Sequence, residues 1–131
     1  MAKASSFRTA WEPRLLSLVR LVAGLLFMEH GTAKLFGFPA GGHHVALFSL
    51  LGLAGVLETF GGLLVAVGLF TRPAAFILSG EMAVAYFKVH FPHSFFPLLN
   101  GGDAAVLYCF LFLYISLTGG GSWKLDQLRR R

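Results

Sequence analysis

Apolar residues run almost unbroken through four stretches, Leu15 to Phe38, Val45 to Phe70, Ala74 to Val89 and Ala104 to Thr118. A soluble domain breaks up its apolar residues on a helical or strand period, because one face must meet water. These stretches lack that interruption. A hydrocarbon core about 30 Å thick takes roughly 20 helical residues. The first two stretches reach that length outright, and the last two reach it with flanking residues at the interface. For the shorter pair, a buried helix of a soluble core is the competing reading. The pattern predicts an all-α fold, a four-helix transmembrane bundle in one domain, with spans at about 15–38, 45–70, 73–91 and 103–118.

Charge gives the expected orientation. The chain of 131 residues has 11 Lys and Arg against 6 Asp and Glu, a net charge of +5. In a soluble protein that excess would point to nucleic acid. Here Lys3, Arg8, Arg14 and Arg20 precede or open the first span, Arg72 lies in the second loop, and Lys124, Arg129, Arg130 and Arg131 close the chain. The positive-inside rule puts all of these in the cytoplasm, so both termini are cytoplasmic and the partner is the lipid bilayer, with no nucleic acid. Trp11 and Trp123 then fall at the inner interface. The first stretch is too long for a signal-peptide core and no small-x-small site follows it, so it is expected to remain as a span.

Proline and glycine mark the breaks. The segment Pro39 to His44 separates the first two helices, and Thr71-Arg72-Pro73 reads as a sharp turn with Pro73 opening the third helix. Two prolines keep Phe91 to Pro97 from being regular helix. Asn100-Gly101-Gly102-Asp103 reads as a turn into the fourth. Cys109, the single cysteine, cannot form an internal disulfide and is read as a packing residue.

Each stretch carries a carboxylate within it or at its end: Glu29, Glu58, Glu81 and Asp103. A charge in hydrocarbon costs about 2.5–3.5 kcal/mol on insertion scales. One in every span suggests that they gather around something. At about 100° per residue, Ala54, Gly55, Gly61 and Gly62 share the face of Glu58, and small residues let helices approach closely. Gly61 and Gly62 are therefore helix-packing candidates, and Glu58 faces another helix, where it must be neutral, paired or hydrated. Glu81, Ala85 and Lys88 share one stripe. His30 and Lys34 share a face from which Glu29 points away, so Glu29 and Lys34 are not expected to pair within the helix, and one of them must answer a neighbouring span. The expected site is an outward-opening polar cavity lined by Glu29, His30, Lys34, Glu58, Glu81, Lys88, Asn100 and Asp103. Simpler roles stay open for several: snorkelling for Lys34 and Lys88, a structural ion pair for Glu58, and stabilisation of a helix start for Asp103. His43, His44, His90 and His93 lie in outer loops without thiolates or fixed geometry, so no metal site is assigned.

The same residues carry a resemblance. The stretch from Arg20 to Gly37, with Met28-Glu29-His30-Gly31 and Lys34, then Glu58-Thr-Phe-Gly-Gly62, Gly68-Leu-Phe-Thr-Arg72 and Asn100-Gly-Gly-Asp103, resembles the DoxX family of small bacterial membrane proteins from about Arg14 to Leu128. The resemblance implies a multi-pass protein of the bacterial inner membrane, associated with thiosulfate:quinone oxidoreductase subunits and with complexes handling oxidative or thiol stress. It carries over Arg20, His30, Gly31, Lys34, Glu58, Gly61, Gly62, Arg72, Asn100, Gly101, Gly102 and Asp103. Glu29 departs from the apolar or aromatic residue expected before the histidine.

Three functions compete. The chain is a membrane subunit of a redox system, its pocket holding a quinone or a small sulfur compound while a partner subunit carries the electrons. In that case it is at most an accessory to catalysis. Alternatively it is a ligand-binding or proton- and solute-conducting bundle, or an assembly scaffold in which charges and glycines hold helices, including those of a homo-oligomer, together.

Overall fold

The computed structural model describes residues 2–41 and 44–130, so His43 lies outside the described residues. Every regular element among them is helical. Helix α1 spans Ala2–Phe36. Helix α2 (Leu50–Val56), a π-helical turn (Leu57–Gly61) and α3 (Gly62–Val67) join into a second rod. Helix α4 (Thr71–Ala85) runs into another π-helical turn, Tyr86–His90, and the short α5 (Pro97–Asn100) leads to α6 (Asp103–Thr118). A 3₁₀ turn, Leu125–Arg130, follows. Helix α1 packs along the second rod and α4 along α6, while α4 also meets α3 and the first π-turn. Two helices, Ser6–Phe36 and Leu50–Val67, are long and apolar enough to cross a membrane, and α6 is a shorter apolar helix.

Helix boundaries depart from the apolar stretches in three places. Helix α1 begins at Ala2 and passes through Pro13 rather than starting near Leu15. Neighbours three or four residues apart sustain it there: Arg8 pairs with Glu12 at 3.4 Å, the Phe7 and Trp11 rings lie 5.9 Å apart, and Arg14 sits 5.4 Å from the Trp11 ring. The second rod begins at Leu50 rather than Val45, because Ser49 caps it by accepting the Gly52 N–H at 3.0 Å. The turn before α4 lies at Gly68–Phe70, three residues earlier than expected, so α4 starts at Thr71 and Pro73 takes the third helical position. A proline costs no hydrogen bond there, since the first turn's N–H groups have no intrahelical acceptor.

Glycine sets how closely α1 meets the second rod. A Cβ on Gly62 would lie 2.8 Å from the Gly24 carbonyl oxygen, and one on Gly24 would lie 2.6 Å from the Ala66 nitrogen. Gly31 likewise lies against Thr59 and the Gly55 carbonyl. The adjacent Gly61 faces α4, where a Cβ would meet Leu78 at 2.8 Å. Phe27, Val65, Leu78, Phe112 and Ile115 fill the centre, while large apolar side chains such as Val22, Leu63, Phe76 and Phe110 cover the outside of the rods. So much exposed apolar surface suits hydrocarbon better than water.

One end of the bundle is closed by the segment after α6. Arg20 is only 3% exposed. Its guanidinium donates to Gly120 O at 2.8 Å, to Val65 O and Ala66 O at 2.5 and 2.6 Å, and to Trp123 O. The carbonyls of residues 65 and 66 belong to the last turn of α3, where helical donors run out; Val65 O also accepts the Gly68 N–H at 3.1 Å. Arg20 was expected among the orientation charges; the structure instead uses its rigid fork to tie α1, α3 and the tail together. Asp126 caps α4 from the tail, accepting the N–H groups of Phe70 and Thr71 at 2.8 and 3.1 Å and the Thr71 hydroxyl at 2.8 Å. Burial works against its ionised form. The Thr71 and Phe70 hydrogen bonds and Arg129 outweigh that and hold the carboxyl below its ordinary range.

Two outcomes follow for protein in detergent. Gly62→Val forces two backbones apart and should cost about 1–3 kcal/mol of stability; an unchanged thermal midpoint would refute the close crossing. Asp126 binds its proton less tightly folded than unfolded, so its stabilisation is complete above the ordinary value of 3.8 and fades as pH falls through the lower folded-state value. Asp126→Ala should lose roughly 1 kcal/mol at neutral pH and show a flatter acid limb, as melting curves across pH would reveal.

Candidate functional site

Away from the Arg20 clamp, the rods part around a cavity of about 560 Å³. All four contribute: Phe27, His30 and Lys34 from α1, Leu57 and Glu58 from the second rod, Glu81 and Met82 from α4, and Ala105 and Tyr108 from α6. Lys88 and His90, in the second π-turn, line its outer part.

Local structure explains the polar groups. Lys34 lies in the last turn of α1, where the helix dipole favours a cation. Gly55 makes room for its stem, since a Cβ there would lie 3.2 Å from Lys34 Cβ. Glu58 lies in the π-turn Leu57–Gly61. Such turns carry an extra residue and often occur at functional sites. The two meet at 2.5 Å, Lys34 Nζ donating to Glu58 Oε2. Lys34 therefore answers a neighbouring rod, and the deepest carboxylate has a partner.

Glu81 has none. Both of its carboxylate oxygens are buried, and neither has a hydrogen-bond partner among the described residues. Its charge lies within electrostatic reach of both Glu58 and Lys34. An orphaned buried acceptor normally costs about 1–3 kcal/mol, so its retention calls for a reason.

Aromatic groups form the wall on the α1 and α6 side. The Phe27 ring lies 5.2 Å from Tyr108 and 4.9 Å from Phe112, and Tyr108 lies 6.3 Å from His30. His30 Nδ1 is 2.9 Å from the Leu26 carbonyl. A carbonyl only accepts, so Nδ1 carries hydrogen and the neutral ring keeps Nε2 as an acceptor.

Of the eight polar residues expected at the site, His30, Lys34, Glu58, Glu81 and Lys88 line the cavity. Glu29, Asn100 and Asp103 do not. Glu29 is exposed on α1, turned about 100° from His30 by the helix. Asp103 is exposed in the first turn of α6, where the helix start itself favours a carboxylate. Asn100 is buried and serves the loop: its amide donates to Ser94 O at 2.9 Å and Tyr86 OH at 3.3 Å, and its side-chain oxygen accepts Gly102 N–H at 2.7 Å. Phe27 and Tyr108 were missed. The spacing of Gly101, Ala104, Ala105 and Tyr108 at one, four, five and eight would have marked that face of α6. The outward-opening polar vestibule needs correction too. Much of the lining is apolar, and Leu51, Leu53, Ile77 and Val84 continue it to the outer surface between α2 and α4.

Comparison with known proteins now adds a family. The DoxX family model matches residues 15–91, more than half of the chain. The chain belongs to the DoxX family. A protein from Haemophilus influenzae described only as uncharacterized is 46% identical over 123 residues, covering 89% of this chain and 92% of that one. No solved structure matches the chain. Membership makes this a membrane protein, in keeping with its apolar exterior.

Lys34→Met would strand Glu58, whose side chain is only 5% exposed. The expected loss is about 3 kcal/mol, the lower end for breaking a buried pair because Lys34 keeps some solvent access. Lys34→Met with Glu58→Gln should recover most of it in a thermal-unfolding cycle; additive losses would show that the pair is not coupled.

Proposed function

We propose that this DoxX protein is a four-span protein of the bacterial inner membrane, with both termini in the cytoplasm, that binds a small amphiphile between its helices as an accessory subunit of a redox or thiol-stress system. Residues 13–20 of α1, the Gly68–Phe70 turn and the tail meet at the clamped end, bringing Arg14, Arg72, Lys124 and Arg129 to one side. That clustering supports the orientation.

The observation that carries the ligand reading is Glu81. An unpartnered carboxylate beside an ion pair, in a largely apolar cavity, is a poor choice for stability and a good one for recognition. The cavity volume of about 560 Å³ suits a small organic molecule. A quinone headgroup fits the chemistry. Phe27 and Tyr108 offer rings to pack on; the Tyr108 hydroxyl can donate to a quinone carbonyl, while His30 Nε2 and the Glu81 carboxylate can accept from the hydroxyls of the reduced ring. Acid–base groups at those oxygens can manage the protons that accompany reduction. The electrons belong to a partner subunit.

Glu81→Leu tests this reading, because it separates recognition from stability. Removing two orphaned oxygens should raise ligand-free stability by about 1–3 kcal/mol. The same change should weaken binding of a quinone analogue at least tenfold, measured by titration of purified protein in detergent. A variant that loses stability and still binds as the wild type does would overturn the assignment.

A further inference from the structure

The cavity has a feature that a pocket for a water-soluble ligand does not need. Its lining runs without interruption from Lys34, Glu58 and Glu81 to Leu51, Leu53, Ile77 and Val84. These four apolar side chains are 51–54% exposed, and they stand on the outer faces of α2 and α4. Where Gly61 meets Leu78 the second rod and α4 are in contact, and α4 also touches the π-turn and α3. The cavity lies toward α2, beyond that contact, and spreads between α2 and α4 along this flank. In a membrane protein such a flank faces acyl chains rather than water.

Gly80 sits in the middle of that flank. It precedes Glu81, it lines the cavity, and a Cβ added there would meet nothing within 4 Å. Gly24, Gly31, Gly61 and Gly62 differ: at each of them a Cβ would collide with a neighbouring helix. Gly80 brings no two helices together, and in a helix interior it costs about 1 kcal/mol relative to alanine. What it does provide is open width beside the orphaned carboxylate.

Resting on the ligand reading above, we infer that α2 and α4 form a lateral portal, and that the ligand is a membrane-dissolved amphiphile with a flexible apolar tail. The head enters from the bilayer and reaches Glu81 and the Lys34–Glu58 pair. The tail stays between the helices, over Gly80 and against Leu51, Leu53, Ile77 and Val84. Such a tail adds buried apolar area without any further polar contact. It also leaves by the route it entered, so the head never needs to cross the aqueous face. The portal thus sets the class of ligand, while the polar groups select its head.

Gly80→Phe tests this cleanly, because the added ring has space and α4 gains helix propensity, so the variant should fold. Two probes, a tail-less benzoquinone and the same ring with a decyl tail, are titrated against wild type and variant in one detergent, so that partitioning cancels. Wild type should bind the tailed probe at least tenfold more tightly than the tail-less one. Gly80→Phe should weaken the tailed probe by a larger factor than the tail-less one and so lose most of that advantage. Leu53→Ser with Val84→Ser, at exposed positions, should lower the tail preference in the same direction. Equal affinity for both probes in wild type, or an undiminished preference in Gly80→Phe, would overturn the portal while leaving the head site standing. Binding of neither probe would overturn the ligand reading, and the portal with it.

Discussion

Helix α1 and the second rod touch backbone to backbone, and the rest of the site depends on that contact. At Gly24 and Gly62 no side chain separates them, and seven residues along α1 Gly31 lies against Thr59 and Gly55 in the same way. Two turns of α-helix carry the crossing about 10 Å. Lys34 follows one turn later, close enough to close on Glu58 at 2.5 Å. In hydrocarbon there is little gain from apolar burial, so close packing and polar contacts must hold helices together. Here the glycines supply the first and the ion pair the second.

The two ends of the bundle solve opposite problems. At the clamped end Arg20 and Asp126 satisfy helix termini from outside the helices themselves, Arg20 at the buried carbonyl end of α3 and Asp126 at the amide end of α4. Both partners come from far along the chain. At the cavity end the arrangement is left incomplete, with Glu81 unmatched beside a matched pair. A protein that satisfies its helix ends so thoroughly in one place can carry an unsatisfied group in another, and that asymmetry is what the proposed ligand reading rests on.

Much of the helical layout was legible because apolar run length and breaking residues are local signals. The stretch around Phe91–Pro97 broke as its prolines required, and Asn100 to Asp103 turned into α6. Errors arose where distant residues decide a local matter. Asp126 caps α4 from 55 residues away in sequence, so the turn fell at Gly68–Phe70 instead of at Pro73. Glu29 and Asp103 looked equivalent to Glu58 and Glu81 as carboxylates in apolar company, yet each lies on an exposed face. Helical spacing sorted Glu29 from His30 correctly but assumed regular α-helix at Glu58. Glu58 lies in a π-turn instead, and Gly61 and Gly62, which any helix turns about 100° apart, meet α4 and α1 respectively.

The sequence by itself determined that the chain is helical, strongly apolar outside and in, and supplied with ionisable groups that must find partners or a use. Run length, proline position and charge are properties of neighbouring residues, and they act before any packing exists. Tertiary structure alone decided which groups meet: Lys34 with Glu58, Arg20 with four carbonyls, and Glu81 with no hydrogen-bond partner among the described residues. Pairing depends on how far each rod is turned about its axis. That rotation is set by glycine contacts and π-turns spread over the whole chain, which no single stretch of residues encodes.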